Sequence, residues 1–168
     1  ASDVANAVFD RTSAIMLSGE CAMGKFPLEC IQTMDKIAKR VEPEINYWRR
    51  FDDKDKIVLK NLEDNITYST CIIAKNTNAD AIVAYTHTGN SVKKLAGMGP
   101  GCPIIAVTDN EKTFNKLSVV WGVLPVLVEG ENVPDATIEK GIEMLKADGT
   151  LEEGDVVPGD LILLESNV

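Results

Sequence analysis

Ala81-Ile-Val-Ala-Tyr85, Pro103-Ile-Ile-Ala-Val107 and Val123-Leu-Pro-Val-Leu-Val128 are the three stretches that decide the fold. Each is apolar throughout rather than alternating, and the segments between them, about Asn90 to Ala96 and Glu111 to Leu117, carry helical spacing. A strand apolar on both sides must be covered on both faces, and strands separated by single helices run parallel. Before the first strand, Leu62, Ile66, Thr70 and Ile73 predict one inward face of a helix. After the third, Ile138, Ile142 and Leu145 predict the inner face of a helix from Pro134 to Lys146, followed by final strands at Gly154 to Val157 and Leu161 to Leu164. The segment from about residue 55 therefore reads as α/β, an open doubly wound and mostly parallel sheet.

Upstream the pattern changes. The chain opens at Ala1 without methionine, which raises the expectation of a processed or truncated chain, and reads as a helix to about Phe9. Ser13-Ala-Ile-Met-Leu17 has the form of a buried parallel strand ending at Ser18-Gly19. A strand without neighbours would leave both edges unpaired. Pro27 suits the first turn of an amphipathic helix through Ile31, Met34, Ala38, Val41, Ile45 and Trp48, with a kink or break at Pro43. Residues 49 to 60 are dense in alternating charge and read as a solvated connector, giving segments 1–50, a linker 51–60 and an α/β segment 61–168.

At 168 residues the chain has room for one ordinary domain plus a fragment of another. A hydrophobic fraction of 45% and a charged fraction of 26% supply both a core and a polar surface. Twenty-six acidic against seventeen basic side chains give a charge of −9, which repels phosphodiester backbones and anionic lipid. Nucleic acid and membrane are therefore excluded as expected partners. The longest apolar stretch, Val119 to Val128, is interrupted by Gly122 and Pro125 and falls short of the roughly 20 residues of a membrane span. Cys21, Cys30, Cys71 and Cys102 form no C-x-x-C pair and His87 is the single histidine, so no metal site is expected. This usage fits free thiols in a reducing, cytoplasmic setting.

In a doubly wound sheet, ligands bind where strand ends lead into helix amino termini. The loop after the first strand, Thr86-His87-Thr88-Gly89-Asn90-Ser91, offers hydroxyls, a glycine for close backbone approach, helix-start amides and the nearby ammonium groups of Lys93 and Lys94. An anionic phosphate needs such a set. No Gly-Lys-Ser/Thr follows, so it is not a Walker loop. Capping by Asn90 or Ser91, with Thr86 and Thr88 closing a turn, accounts for the same residues, and His87 reads as a surface histidine without an identifiable partner. A second candidate is Met16-Leu-Ser-Gly-Glu20, in which Ser18 and Glu20 stand where a barrel strand would open into a site mouth, or simply form a turn into a helix.

Ser2-Asp-Val-Ala-Asn-Ala-Val-Phe-Asp10, Ala14-Ile-Met-Leu-Ser-Gly-Glu20, and Ala22, Gly24, Pro27 and Glu29 closely resemble the end of the catalytic (β/α)8 barrel of pyruvate kinase. Ala79 to Ser91, Pro103 to Thr108 and Leu151 to Asp155 resemble that family's carboxyl-terminal α/β domain. The resemblance covers essentially the whole chain but only about the last third of the family's polypeptide. It implies a glycolytic phosphotransferase that moves phosphate from phosphoenolpyruvate to ADP, giving pyruvate and ATP, with Mg2+ and K+ gathering the reactants. It places the chemical residues of that reaction before Ala1, so this chain carries none of them and binds no cofactor itself. Ser18 and Glu20 then lie at the active-site rim, and Thr86 to Ser91 match an effector loop that holds a sugar phosphate. The implied partners are a phosphorylated small-molecule effector, the remainder of the barrel, and further copies in a tetramer.

The chain departs from the family pattern at Arg11, Cys21 and Met23, where glycine, threonine and lysine are usual. Val157-Pro-Gly-Asp-Leu-Ile-Leu-Leu-Glu-Ser-Asn-Val168 replaces a glycine-rich closing loop, which argues against fructose bisphosphate as effector. The expectation is a carboxyl-terminal portion of pyruvate kinase serving allosteric effector binding and assembly, inactive alone. A stand-alone phosphometabolite-binding or oligomerisation module is the competing expectation.

Overall fold

The computed structural model describes residues 1–52, 57–128, 134–147 and 149. It divides into two compact units, Ala1–Tyr47 and Trp48–Val168.

The first unit contains α1 (Ser2–Phe9), α2 (Gly19–Ala22) and α3 (Pro27–Val41). Pro27 occupies the first turn of α3, where a missing N–H is harmless, and Pro43 falls in a 3-10 turn, Glu42–Glu44, that ends the regular helix. No residue of α1, α2 or α3 is buried. Met16 is 84% exposed and Met23 89%. The expected strand Ser13 to Leu17 does not form: no residue in it has strand structure or pairs with a described strand. Apolar sequence alone does not make a strand, because its N–H and C=O groups need a neighbouring ladder. Arg11 takes a left-handed conformation at φ 60, with its guanidinium carbon 5.3 Å from the centre of the Tyr47 ring.

The second unit begins within a 3-10 turn, Tyr47–Asp52. The solvated connector expected over residues 49 to 60 does not hold at Phe51. Phe51 is only 3% exposed and packs between Trp48 and Tyr68, at ring separations of 5.7 and 6.0 Å. Arg50 Nη1 donates to the carbonyl oxygens of Gly97 (3.0 Å) and Met98 (3.2 Å). Charge density along residues 49 to 56 hid one aromatic anchor, Phe51, that buries apolar area.

α4 (Leu62–Thr77) starts at Asn61, whose side chain accepts from the Asp64 amide at 2.8 Å. Its buried face is Thr67, Thr70, Cys71 and Ala74. The predicted inward set holds only at Thr70, since Leu62 is 77% exposed and Ile66 and Ile73 are also exposed. Thr67 and Thr70 donate their hydroxyl hydrogens to backbone carbonyls of the preceding turn, to Glu63 at 3.0 Å and Ile66 at 2.9 Å. With the hydroxyl satisfied inside the helix, the methyl group faces the core as an apolar surface.

β1 (Ile82–Tyr85), β2 (Ile104–Thr108) and β3 (Val123–Leu127) form a parallel sheet in the order β1-β2-β3, with Ile82 opposite Ile104 and Ile104 opposite Val123. α5 (Asn90–Met98) and α6 (Glu111–Leu117) connect them, and α7 (Pro134–Ala147) follows. Strand periodicity splits the core in two. Ile82, Ala84, Ile104 and Ala106 pack with Cys71, Ala74, Val92, Leu95 and Leu117. Val83, Ile105, Val107 and Val126 pack with Ile138 and Leu145 of α7 on the other face. A Cβ at Gly141 would stand 2.9 Å from Val107 Cγ1, so glycine there lets α7 lie close to the sheet. Helices on both faces make this the doubly wound α/β arrangement that the apolar strands imply. The strands expected at 154–157 and 161–164 lie outside the described residues.

Candidate functional site

The candidate loop lies at the carboxyl end of β1. The amide of Thr86, its first residue, continues the sheet by donating to the Val107 carbonyl at 2.9 Å. The Thr86 side chain is buried, and its Oγ1 accepts from the Gly89 amide at 2.8 Å. This closes a tight turn and forces Gly89 to φ 85, ψ 0, a left-handed conformation favoured by glycine. Gly89 is the N-cap of α5 and brings no side chain to its first turn. α4 and α6, in contrast, begin with asparagines that cap them: Asn61, and Asn110, whose Oδ1 accepts from the Thr113 amide at 3.2 Å. Helix-start amides have no acceptor within the helix and carry a partial positive charge, so an anion at the start of α5 meets a favourable field.

Thr88 and Asn90 are exposed, Ser91 is buried, and Thr88 Oγ1 stands 3.5 Å from the Asn90 amide. The structure thus brings Thr86, His87, Thr88, Gly89, Asn90 and Ser91 together at one strand end. It removes Lys94 from the candidate set. Its ammonium group is bound to the Glu63 carboxylate and lies 3.5 Å from Asp64 Oδ1, both at the start of α4. The Glu63 hydrogen bond comes first among the causes that raise the Lys94 pKa, and the Asp64 carboxyl is held low chiefly by the Lys60 amide. Lys93 remains exposed on α5.

One partner was missed in the sequence. His87 Nδ1 lies 2.7 Å from Asp109 Oδ1, just beyond the carboxyl end of β2, and the Thr113 hydroxyl donates to the His87 carbonyl at 2.7 Å. The signal was present as two aligned strand ends. Tyr85 pairs with Val107 in register, so Thr86-His87 and Thr108-Asp109 leave the sheet side by side.

In the first unit, Ser18 and Glu20 come together at the short α2, where Glu20 Oε2 accepts from the Ser18 amide at 3.2 Å, and both are exposed. An open pocket of about 260 Å3 is lined by Val4, Leu17, Cys30, Met34 and Ile37, among others. Among the described residues, no three His, Cys, Asp or Glu side chains gather into a metal-holding group, and no helix is long and apolar enough to cross a membrane. All four cysteines are free; burial pushes the Cys71 thiol up to about 12 and that of Cys102 up to about 11.

Residues 64–158, more than half of the chain, match the family described as pyruvate kinase, alpha/beta domain. The chain belongs to the pyruvate kinase family. Residues 1–31 match the barrel domain of pyruvate kinase, so the first unit corresponds to the barrel's end. Pyruvate kinase of Clostridium acetobutylicum is 40% identical over 168 residues, which are 100% of this chain and 34% of that protein. Pyruvate kinase of Staphylococcus epidermidis is likewise 40% identical, with 28% of its length covered. The chain thus spans about a third of the length of these curated relatives. Among solved structures, a pyruvate kinase from Cryptosporidium parvum superposes with a TM-score of 0.82 at 29% identity, covering 92% of this chain and 32% of that one.

Proposed function

We propose that this chain is the carboxyl-terminal portion of a pyruvate kinase that binds a phosphorylated effector and helps to assemble subunits, and that it is catalytically silent alone. The parent reaction would be transfer of phosphate from phosphoenolpyruvate to ADP. The Mg2+ and K+ of that reaction would be held by residues outside this chain. The cytoplasm is the compartment this reading assigns.

The observation that carries effector binding is the glycine-started helix α5 beneath the Thr86 to Ser91 loop, where backbone amides and hydroxyls converge without a capping side chain at the N-cap. An anion there would complete the helix start, with Lys93 adding long-range attraction. Binding fixes only what it contacts, so regulation follows if the anion stabilises one arrangement of the parent enzyme over another. Subunit assembly is supported by the outer face of α4 and the segment before it, where Val58 (71% exposed), Leu62, Ile66 and Ile73 present apolar surface. The coreless first unit, with its open pocket, supports the rest of the barrel as its partner. Ser18 and Glu20 would contribute to the rim of the completed active site.

Two measurements test this reading. A lactate-dehydrogenase-coupled assay of the purified chain with phosphoenolpyruvate, ADP, magnesium and potassium should show no turnover, and measurable activity refutes silence. Calorimetric titration with inorganic phosphate, sugar phosphates and AMP should show binding that Thr88→Ala weakens. If no anion binds, the loop is only a helix start.

A further inference from the structure

Trp48 to Asp52 hold on to α4 and to the carboxyl end of α5 through contacts of unequal strength. Phe51 is the one buried residue of the turn Tyr47–Asp52. It shares a core cluster with Val92 and Leu95 of α5, and its ring stacks on that of Tyr68 of α4, 6.0 Å away at 30°. Arg50 Nη1 donates to the carbonyl oxygens of Gly97 and Met98, which belong to the last turn of α5 and have no donor within the helix. The Trp48 indole rests against Gly101, where a Cβ would stand 2.4 Å from Trp48 Nε1. The Asp52 carboxylate pairs with Lys75 of α4 but is 65% exposed, so water competes for it.

Docking this segment also has a cost. The Tyr68 hydroxyl, on the ring that Phe51 covers, is buried and has no hydrogen-bond partner among the described residues. In water a phenol keeps its hydrogen bonds, so sheltering this one without a replacement opposes closure. Burial of the Phe51 ring favours closure by an amount of the same order. The two largely offset each other, and a 3-10 turn contributes backbone hydrogen bonds of poorer geometry than a regular helix would.

We infer that Trp48 to Asp52 form a strap poised to open, which leaves α4 and α5 while the sheet stays folded. Opening returns the Tyr68 hydroxyl to water, frees the Gly97 and Met98 carbonyls at the end of α5, and bares the apolar surface of α4 and α5 beneath Phe51. The inference stands apart from the anion reading of the Thr86 to Ser91 loop, since none of its contacts lies there.

Amide hydrogen exchange of the full chain, followed by mass spectrometry across a series of low urea concentrations, tests it. Corrected for intrinsic rates, the amides of Arg50 to Asp52 should exchange at least about tenfold faster than those of β2, with a weaker dependence on urea, as a local opening requires. Tyr68→Phe keeps the ring and removes the stranded hydroxyl, so it should slow exchange in the strap roughly five- to hundredfold. Gly101→Ala pushes the Trp48 indole away without altering the strap's own residues and should quicken exchange there at least about fivefold. Should that variant not fold, Arg50→Gln, which gives up the guanidinium hydrogen bonds to α5, should quicken it as well. Strap amides that match β2 in rate and urea dependence, exchange that Tyr68→Phe fails to slow, or exchange that the loosening variant fails to quicken overturns the strap.

Discussion

Replacing Gly89 by alanine tests the loop's geometry most directly. At φ 85, ψ 0 an L side chain costs about 1–2 kcal/mol that glycine does not. The new Cβ would lie 3.3 Å from Thr113 Cγ2 and 3.4 Å from Leu117 Cδ2, tight contacts with two buried side chains that have little room to retreat. They add a few tenths of a kcal/mol. Against this, alanine loses less chain entropy on folding, which returns about 0.4–1 kcal/mol. The net expectation is destabilisation of the α/β unit by roughly 0.3–2 kcal/mol, centred near 1, read as a lower urea midpoint by far-UV circular dichroism with an unchanged slope. Gly89→Asn should recover part of the loss, since asparagine enters the left-handed region more readily while placing its Cβ at the same point. Adding Thr113→Ser to Gly89→Ala removes the nearest methyl and keeps the hydroxyl that bonds the His87 carbonyl. A Gly89→Ala protein as stable as the parent or more so, or an asparagine variant weaker than alanine, would refute the turn as described.

Lys94→Ala should leave inorganic phosphate affinity within about twofold of the parent by calorimetry, because its charge is already engaged by Glu63 and Asp64. Burial first, and the neighbouring Cys102 second, raise the Cys71 thiol to about 12. Since an exposed thiol titrates near 8.5, the native state keeps a proton between about pH 9 and about 12 that the unfolded chain has lost, and stability falls as pH rises through that window. Urea unfolding of Cys71→Ala should show a shallower alkaline decline than the parent; an identical slope would remove Cys71 as its cause.

The three sheet strands were legible because each is apolar on both faces, and α5, α6 and α7 because they fill the gaps between or follow those strands. Other features were not legible. Ser13 to Leu17 has a strand's composition, but strand structure depends on neighbours that composition does not supply. The faces of α4 were misassigned because threonine counts as polar by name, whereas Thr67 and Thr70 bond their hydroxyls to their own helix and are buried along with Cys71 and Ala74. Lys94 looked available because its acidic partners stand about thirty residues upstream, at the start of another helix. Within the loop, the Gly89 turn was readable from residue types alone. The His87–Asp109 contact needed the register of two strands, which sequence spacing only suggests.

α4 fully buries only small residues, Thr67, Thr70, Cys71 and Ala74, and leaves Leu62, Ile66 and Ile73 outside, and this has an evolutionary consequence. Changes at Thr67, Thr70, Cys71 or Ala74 alter the unit's own packing and are exposed to selection on folding. Changes at Leu62, Ile66 and Ile73 leave that packing largely untouched. The outer stripe can therefore be tuned for its contacts while the inner face answers to stability, so one helix carries two traits that mutation can adjust separately.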